Sequence, residues 1–253
     1  MKKLLWITGA GKGIGRAVAQ HYAQKGWHVA VSSRTQNDLI SLKEQTKSLL
    51  GKDLIHCYPL DITSKESYEE VYQKIKSQLK IPDQLIFNAG THIPSPAISF
   101  SSRIYEKLMT VNYFGTLYGV ETVIADLLDN NKGHIGIVSS VAGYRGLPNS
   151  SAYGASKAAL INFCESLRID LDKTNINISI INPGFVKTPL TDKNDFSMPF
   201  IISAEKAAAI IFKGMEEKRF EIAFPRLFVS FLKLLRIIPY FIYFRIVKKY
   251  TNV

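Results

Sequence analysis

Tyr153 and Lys157 stand four residues apart in Ala152-Tyr153-Gly154-Ala155-Ser156-Lys157-Ala158-Ala159, a stretch that reads as the opening of a helix. That spacing puts a phenol and an ammonium on one helical face. Ser140 lies thirteen residues before the tyrosine. A free phenol titrates near pH 10, and moving it to neutrality takes about 4 kcal/mol of preferential stabilisation of tyrosinate. A cation close to the ring oxygen supplies such stabilisation directly. The serine hydroxyl can then hold a substrate oxygen beside the phenol. The same pair on an ordinary amphipathic helix would be a surface Tyr and Lys with no chemistry.

A second constellation opens the chain. The apolar run Lys3–Thr8 has strand length, Gly9-Ala10-Gly11-Lys12-Gly13-Ile14-Gly15 is a glycine-rich turn, and Arg16–Ala23 has helical period. Strand, glycine turn and helix together form the context of a phosphate site at a helix N-terminus. Gly9 permits the turn, Gly13 lets backbone approach a pyrophosphate, and Gly15 permits close helix–strand packing. The spacing Gly-x3-Gly-x-Gly departs from the common Gly-x-Gly-x-x-Gly, so the turn alone is weak evidence of a nucleotide.

Taken together, the two constellations resemble the short-chain dehydrogenase/reductase family, and further segments agree in order. Thr8 to Gly15 is similar to the family's cofactor fingerprint. Leu60-Asp61-Ile62-Thr63 is similar to the segment whose aspartate contacts adenine, and Asn88-Ala89-Gly90 to the loop after the fourth strand. Phe87 stands where that family usually has an asparagine. Asn112, Ser140, Tyr153 and Lys157 match the catalytic set, and Pro183-Gly184-Phe185-Val186-Lys187-Thr188 matches the turn beside the nicotinamide. The resemblance implies hydride transfer with Tyr153 as acid or base, Lys157 lowering the phenol's pKa and binding the nicotinamide ribose, and Ser140 holding the substrate oxygen. Asn112 would hold a water connecting Lys157 to solvent. The cofactor is expected to touch Thr8, Gly9, Gly11, Lys12, Gly13, Ile14, Gly15, Ser33, Arg34, Asp61, Ile62, Asn88, Ala89, Gly90, Tyr153, Lys157, Pro183, Gly184, Val186 and Thr188. The family commonly assembles as homodimers or homotetramers.

Cofactor choice is read at the end of the second strand. An acid there accepts hydrogen bonds from ribose hydroxyls, whereas a cation pairs with a 2′-phosphate. Ser32-Ser33-Arg34-Thr35 has no acid, and Lys12 adds a second cation at the same edge. In the family those two basic positions mark NADP users, so NADP is expected over NAD.

The elements that must position these residues follow from the remaining pattern. Apolar runs at Trp27–Ser32, Leu54–Tyr58, Gln84–Phe87, His134–Val138, Asn177–Ile181 and Phe220–Phe224 alternate with helical segments. The last should lie at an edge, since Pro225 ends it. Such alternation predicts an α/β fold, a doubly wound parallel sheet of Rossmann type with ligands beyond the carboxyl ends of its strands. Length 253, 46% hydrophobic residues and 21% charged residues suit one large folded domain and exclude a disordered chain. Cys57 and Cys164 read as buried reduced thiols, and no metal site is expected. A strand at the very start leaves no room for a signal peptide, which points to the cytoplasm.

Composition changes at the end and divides the chain into a catalytic domain, 1–225, and an extension, 226–253. Residues 223–253 carry six of the cations behind the formal charge of +11, no Asp or Glu, and eight Phe or Tyr. Wound as helices they become basic and amphipathic, yet the longest uncharged run, Ile237–Phe244, is far shorter than the roughly 20 residues a membrane span needs. An anionic membrane surface on the cytoplasmic side is the expected partner, against packing over the cleft or at a subunit interface. No motif supports nucleic-acid binding. Tyr144, Leu147 and Leu190, with Phe196, Met198, Pro199, Phe200 and Ile201, suggest an apolar wall for a hydrophobic ketone, aldehyde or secondary alcohol. The alternative for these side chains is core or cofactor cover. The rival function is a catalytically silent, nucleotide-binding regulatory protein of the same fold.

Overall fold

The computed structural model describes residues 2–191 and 198–251, so Phe196 lies outside the described residues. Seven parallel strands form one sheet in the order β3-β2-β1-β4-β5-β6-β7. The strands are β1 (Leu4–Thr8), β2 (His28–Ser32), β3 (Ile55–Cys57), β4 (Gln84–Phe87), β5 (Gly133–Val138), β6 (Ile176–Pro183) and β7 (Glu221–Phe224). Each expected strand is present within a residue or two, and the last lies at the edge. The flanking helices are α1 (Gly13–Gln24), α2 (Gln36–Leu50), α3 (Lys65–Gln78), α4 (Ser102–Leu108), α5 (Gly115–Asp129), α6 (Ser151–Asp170), α7 (Ala204–Glu216), α8 (Arg226–Ile237) and α9 (Tyr240–Thr251).

The two-residue alternation of strand side chains builds two cores rather than one wet and one dry face. Leu4, Trp6, Leu85, Phe87, Ile135 and Ile137 point to one side, with Tyr68 and Tyr72 of α3 and Leu160 of α6. Leu5, Ile7, Val29, Val31 and Ile86 point to the other, with Val18 and Tyr22 of α1 and Ile211 of α7. Chain direction across the sheet reverses between β1 and β4, which are paired neighbours with Trp6 opposite Leu85. A crevice opens at that point, beyond the carboxyl ends of both strands.

Phe87 has a steric counterpart. A Cβ on Gly119 of α5 would come within 2.4 Å of the Phe87 ring, so the glycine makes the room the phenylalanine fills. The ring also packs edge-on against Trp6 and Tyr68. Helices α8 and α9 are laid on the same core: Val229, Leu232, Leu235 and Tyr243 are buried in it.

Candidate active site

The glycine turn is tight for reasons visible atom by atom. Gly9 and Gly13 have φ of +67° and +57°, where side chains are disfavoured. A Cβ on Gly15 would stand 2.4 Å from the Gly9 carbonyl oxygen, and one on Gly9 would stand 2.7 Å from Cα of Ala89. The turn is stitched to β4 from below. Thr8 Oγ1 accepts the N–H groups of Asn88 and Ala89 at 3.1 and 3.2 Å, and Asn88 Nδ2 donates to the carbonyls of Thr8 and Gly9. Above the turn, Lys12 is the N-cap of α1, makes no side-chain cap, and no acid occupies the first turn. Helix-start N–H groups left without a side-chain cap, at the positive end of the helix dipole, fit a pyrophosphate. Thr188, on the segment after β6, closes over the turn, its side chain 3.2 Å from where a Gly13 Cβ would be.

One residue of this turn escaped the sequence reading. Arg16 donates to the carbonyls of Gly11 and Asp38 and to the side chains of Ser41 and Gln45, tying the turn to α2. A donor fork in this role carries no motif, because its partners lie up to 29 residues away.

At the rim, Arg34 is exposed at the end of β2, with Ser33 beside it. Lys12, the second cation expected at this edge, has its ammonium 3.5 Å from the Asp38 carboxylate. The pair is solvent-exposed and therefore weak. Asp61 also has partners already, because its carboxylate accepts the Thr63 N–H and hydroxyl at 3.0 and 2.8 Å, which hold it below the usual carboxylate range. Ile62 is buried against Gly115 at the start of α5.

The catalytic candidates converge between β4, β5 and α6. Lys157 is 4% exposed and donates to the Val138 carbonyl at the end of β5, at 2.9 Å. Burial brings its pKa down to about 8. Its ammonium sits 5.7 Å from the centre of the Tyr153 ring. Burial raises the Tyr153 phenol above the ordinary tyrosine value, and a hydrogen bond with Ser140 works against that rise. Desolvation is the largest influence on the phenol, and the Lys157 ammonium is directed at the Val138 carbonyl. Ser140 Oγ accepts the Ala142 N–H at 3.1 Å.

Asn112 lies in a wider helical turn, Met109–Phe114, between α4 and α5 and is fully buried. Its Oδ1 accepts the Thr91 N–H at 2.8 Å, while Nδ2 donates to the Thr91 carbonyl and to Ser156 Oγ. The side chain thus fastens the Asn88–Gly90 loop to α6. Gly90 keeps the Asn112 amide and the Lys157 ammonium close, since a Cβ there would meet them at 3.2 and 3.5 Å. A wide turn of this kind, common at functional sites, left no mark in the apolar periodicity.

The side chains expected to form the substrate wall fall in two places. Tyr144 is buried, and its hydroxyl donates to Glu221 of β7 at 2.6 Å, so it offers the cleft no polar group. Leu147 shares a small recess with Val141, Leu232, Leu235 and Tyr243, facing α8 and α9. Both residues belong to a wall covered by the C-terminal helices, an arrangement set by contacts some 80 residues away in sequence. Leu190 is 39% exposed, and Phe200 and Ile201 are also exposed. His92, two residues past Gly90, was missed. Its ring meets the Tyr153 ring edge to face at 4.9 Å, and burial lowers its pKa, which keeps the imidazole neutral near pH 7.

Comparison with known proteins decides the family. The family described as short chain dehydrogenase matches residues 3–197. The chain is a short-chain dehydrogenase. An uncharacterized oxidoreductase of Myxococcus xanthus is 30% identical over 233 residues, 92% of this chain and 91% of that one. A dehydrogenase/reductase SDR family protein 7-like of Drosophila melanogaster is 32% identical over 75% of this chain and 59% of its own. Among solved structures, a short-chain dehydrogenase/reductase of Burkholderia phymatum in complex with NAD shares the fold, with TM-score 0.84 at 22% identity over 92% of both chains. ElxO with NADP bound has TM-score 0.77 at 25% identity, over 88% of this chain and 98% of that one. This short-chain dehydrogenase is therefore an oxidoreductase that uses a nicotinamide cofactor and a small-molecule substrate.

Proposed function

We propose that the enzyme transfers a hydride between NADP(H) and an apolar ketone, aldehyde or secondary alcohol, with Tyr153 as the group that gives or takes the proton. The observation that carries this reading is the convergence of Tyr153, Ser140 and Lys157 beside Asn112 at the mouth of β4 and β5. When bound, the nicotinamide supplies the hydride or accepts it.

The chain's own residues do the rest. Ser140 orients the substrate oxygen and stabilises the charge that develops on it, and Tyr153 exchanges the proton with that oxygen. Lys157 holds the ribose and adds positive potential near the phenol. Asn112, fixed by Thr91 and Ser156, holds the water that links Lys157 to solvent. The uncapped start of α1, with Gly9, Gly11, Gly13, Ile14 and Gly15, would hold the pyrophosphate. The rim of Ser33 and Arg34 would hold the 2′-phosphate, which competes with Asp38 for Lys12. A guanidinium meets a phosphate bidentately, and the strand end carries no acid to repel it.

Support for an apolar substrate comes from exposed Leu190, Phe200 and Ile201 beside the Pro183–Thr188 segment. Exposed Phe114 just before α5, Leu128 on α5 and Ile169 on α6 fit a homodimer or homotetramer. This reading keeps the enzyme on the cytoplasmic side of a membrane, where an apolar carbonyl compound partitions between water and lipid. The test is turnover of graded carbonyl compounds with NADPH by wild type and Tyr153→Phe. The variant is expected to bind NADPH normally and to lose turnover by at least about a hundredfold, within the range of general acid–base catalysis. Retained turnover would sink the assignment. For the cofactor, Arg34→Ala is expected to weaken NADPH about tenfold and NADH hardly at all, the scale of one charge-assisted contact; equal affinity of wild type for both dinucleotides would refute the NADP reading.

A further inference from the structure

Helices α8 and α9 are apolar on two sides, and only one side is used by the fold. The inner side is held firmly. Val229, Leu232, Leu235 and Tyr243 are buried against the wall that follows Ser140. Arg145, from that wall, donates to the carbonyls of Leu235 and Ile238 at the end of α8, and its guanidinium lies 3.9 Å from the centre of the Tyr243 ring. Tyr243 donates back to the Gly146 carbonyl. A cation on the last carbonyls of α8 suits the negative end of the helix. At the other end of α8, Phe228 stacks near Phe185 and Phe200, with ring centres 5.6 and 6.2 Å apart. The pair of helices therefore touches both the segment after Ser140 and the aromatic side chains Phe185 and Phe200.

The outer side is exposed among the described residues. Leu227 is 75% and Ile237 78% exposed, with Phe231 and Leu234 between them on α8 and Phe241 and Phe244 continuing on α9. Contiguous exposed apolar surface of this kind marks an interaction site. Exposed Arg226, Arg236, Arg245 and Lys248 accompany it, and residues 223–253 contain no acid.

We propose that this outer face docks on an anionic lipid bilayer, with the apolar side chains in the headgroup region and the cations at the phosphates. It rests on the reading of an apolar carbonyl or alcohol substrate only for its purpose, which is to hold the mouth of the cleft where such a molecule is dissolved. Charge selects the occupant. A second copy packed face to face would set cations against cations, because an isologous contact brings the same patch to itself. An anionic bilayer accepts both the apolar stripe and the positive charge. Neither helix, at 12 residues, can span a membrane, so both lie in its plane.

Flotation of the full chain decides it, with vesicles of phosphatidylcholine alone or mixed with phosphatidylglycerol. The wild type is expected to float with the anionic vesicles and stay soluble with the neutral ones. The double variant Phe231→Ser, Phe241→Ser should lose binding by at least about tenfold, as expected for two apolar side chains withdrawn from lipid, while its melting temperature and NADPH affinity stay at wild-type values. Wild type that stays soluble with anionic vesicles overturns the proposal. So does a variant that floats as well as wild type, or one whose only change, by sedimentation, is dissociation of an oligomer. A less hydrophobic single variant, Leu227→Gln, repeats the test should the double variant fold poorly. Flotation needs no turnover, so a failure of the substrate reading leaves this result standing, and the reverse holds as well.

Discussion

Lys157 is held as a buried amine at a cost the fold carries for the sake of chemistry. Its pKa falls from 10.5 to about 8 on folding. That depression corresponds to about 3 kcal/mol of lost stability at neutral pH, since each pKa step is worth about 1.4 kcal/mol. The ammonium's hydrogen bond to Val138 returns about 1 kcal/mol of net stability that methionine cannot supply. Lys157→Met, which keeps an unbranched stem and removes the charge, should therefore make the unliganded protein more stable by about 2 kcal/mol at pH 7, or about 4–8 °C in a chain of this size. Its pH dependence has a definite sign. Between the folded value near 8 and the unfolded value of 10.5, the unfolded wild type binds more protons than the folded one, so wild-type stability rises with pH. The variant's advantage is full below about pH 8, vanishes on the way up to about pH 10.5 and is reversed above it by the lost hydrogen bond. Urea denaturation of both proteins from pH 6.5 to 10.5 measures it, alongside loss of turnover in the variant. A variant less stable than wild type at pH 7, or an advantage that does not shrink with rising pH, would refute the reasoning.

Gly119→Ala drives a methyl into the Phe87 ring, where the gap is 2.4 Å, and should cost about 1–3 kcal/mol as an overpacked core. Adding Phe87→Leu should recover most of that loss in thermal melts; independent, additive effects would show that the two sites do not share the space. His92→Phe keeps a ring against Tyr153 and removes the imidazole nitrogens. It should lower kcat/KM about tenfold for carbonyl compounds carrying a second polar group near the carbonyl, the scale of one lost hydrogen bond, and leave plain apolar ketones and the KM for NADPH unchanged. Equal loss across both substrate sets would assign His92 to support of the phenol alone.

The frame of this enzyme could be read from its sequence because local patterns dictate it. Apolar runs of strand length alternating with helices locate the strands, and the glycines at 9, 13 and 15 sit where backbone sterics allow little else. Ser140, Tyr153 and Lys157 stand out by spacing. What escaped the reading was set by partners distant in the chain. The bond from the Tyr144 hydroxyl to Glu221, on a strand near the end, leaves no local signal. Nor does the approach of Asp38 to Lys12, which comes through the packing of α2. The amphipathic period of α8 could be seen, but which apolar side chains the fold buries depends on Arg145 and the wall behind Ser140.

The stitching of Thr8 and Asn88 beneath the glycine turn divides the proposed cofactor region into a close-packed floor and a solvent-facing rim. On the floor, added atoms at Gly9 or Gly15 collide with backbone within 3 Å, so variation there is closed off. On the rim, Arg34 is exposed, while Ser33 and Asp38 are half-buried and Asp38 is held by Lys12 and Arg16. Under the proposed cofactor reading, a change of dinucleotide is therefore a matter of rim side chains, with the glycine turn and the sheet beneath it left as they are.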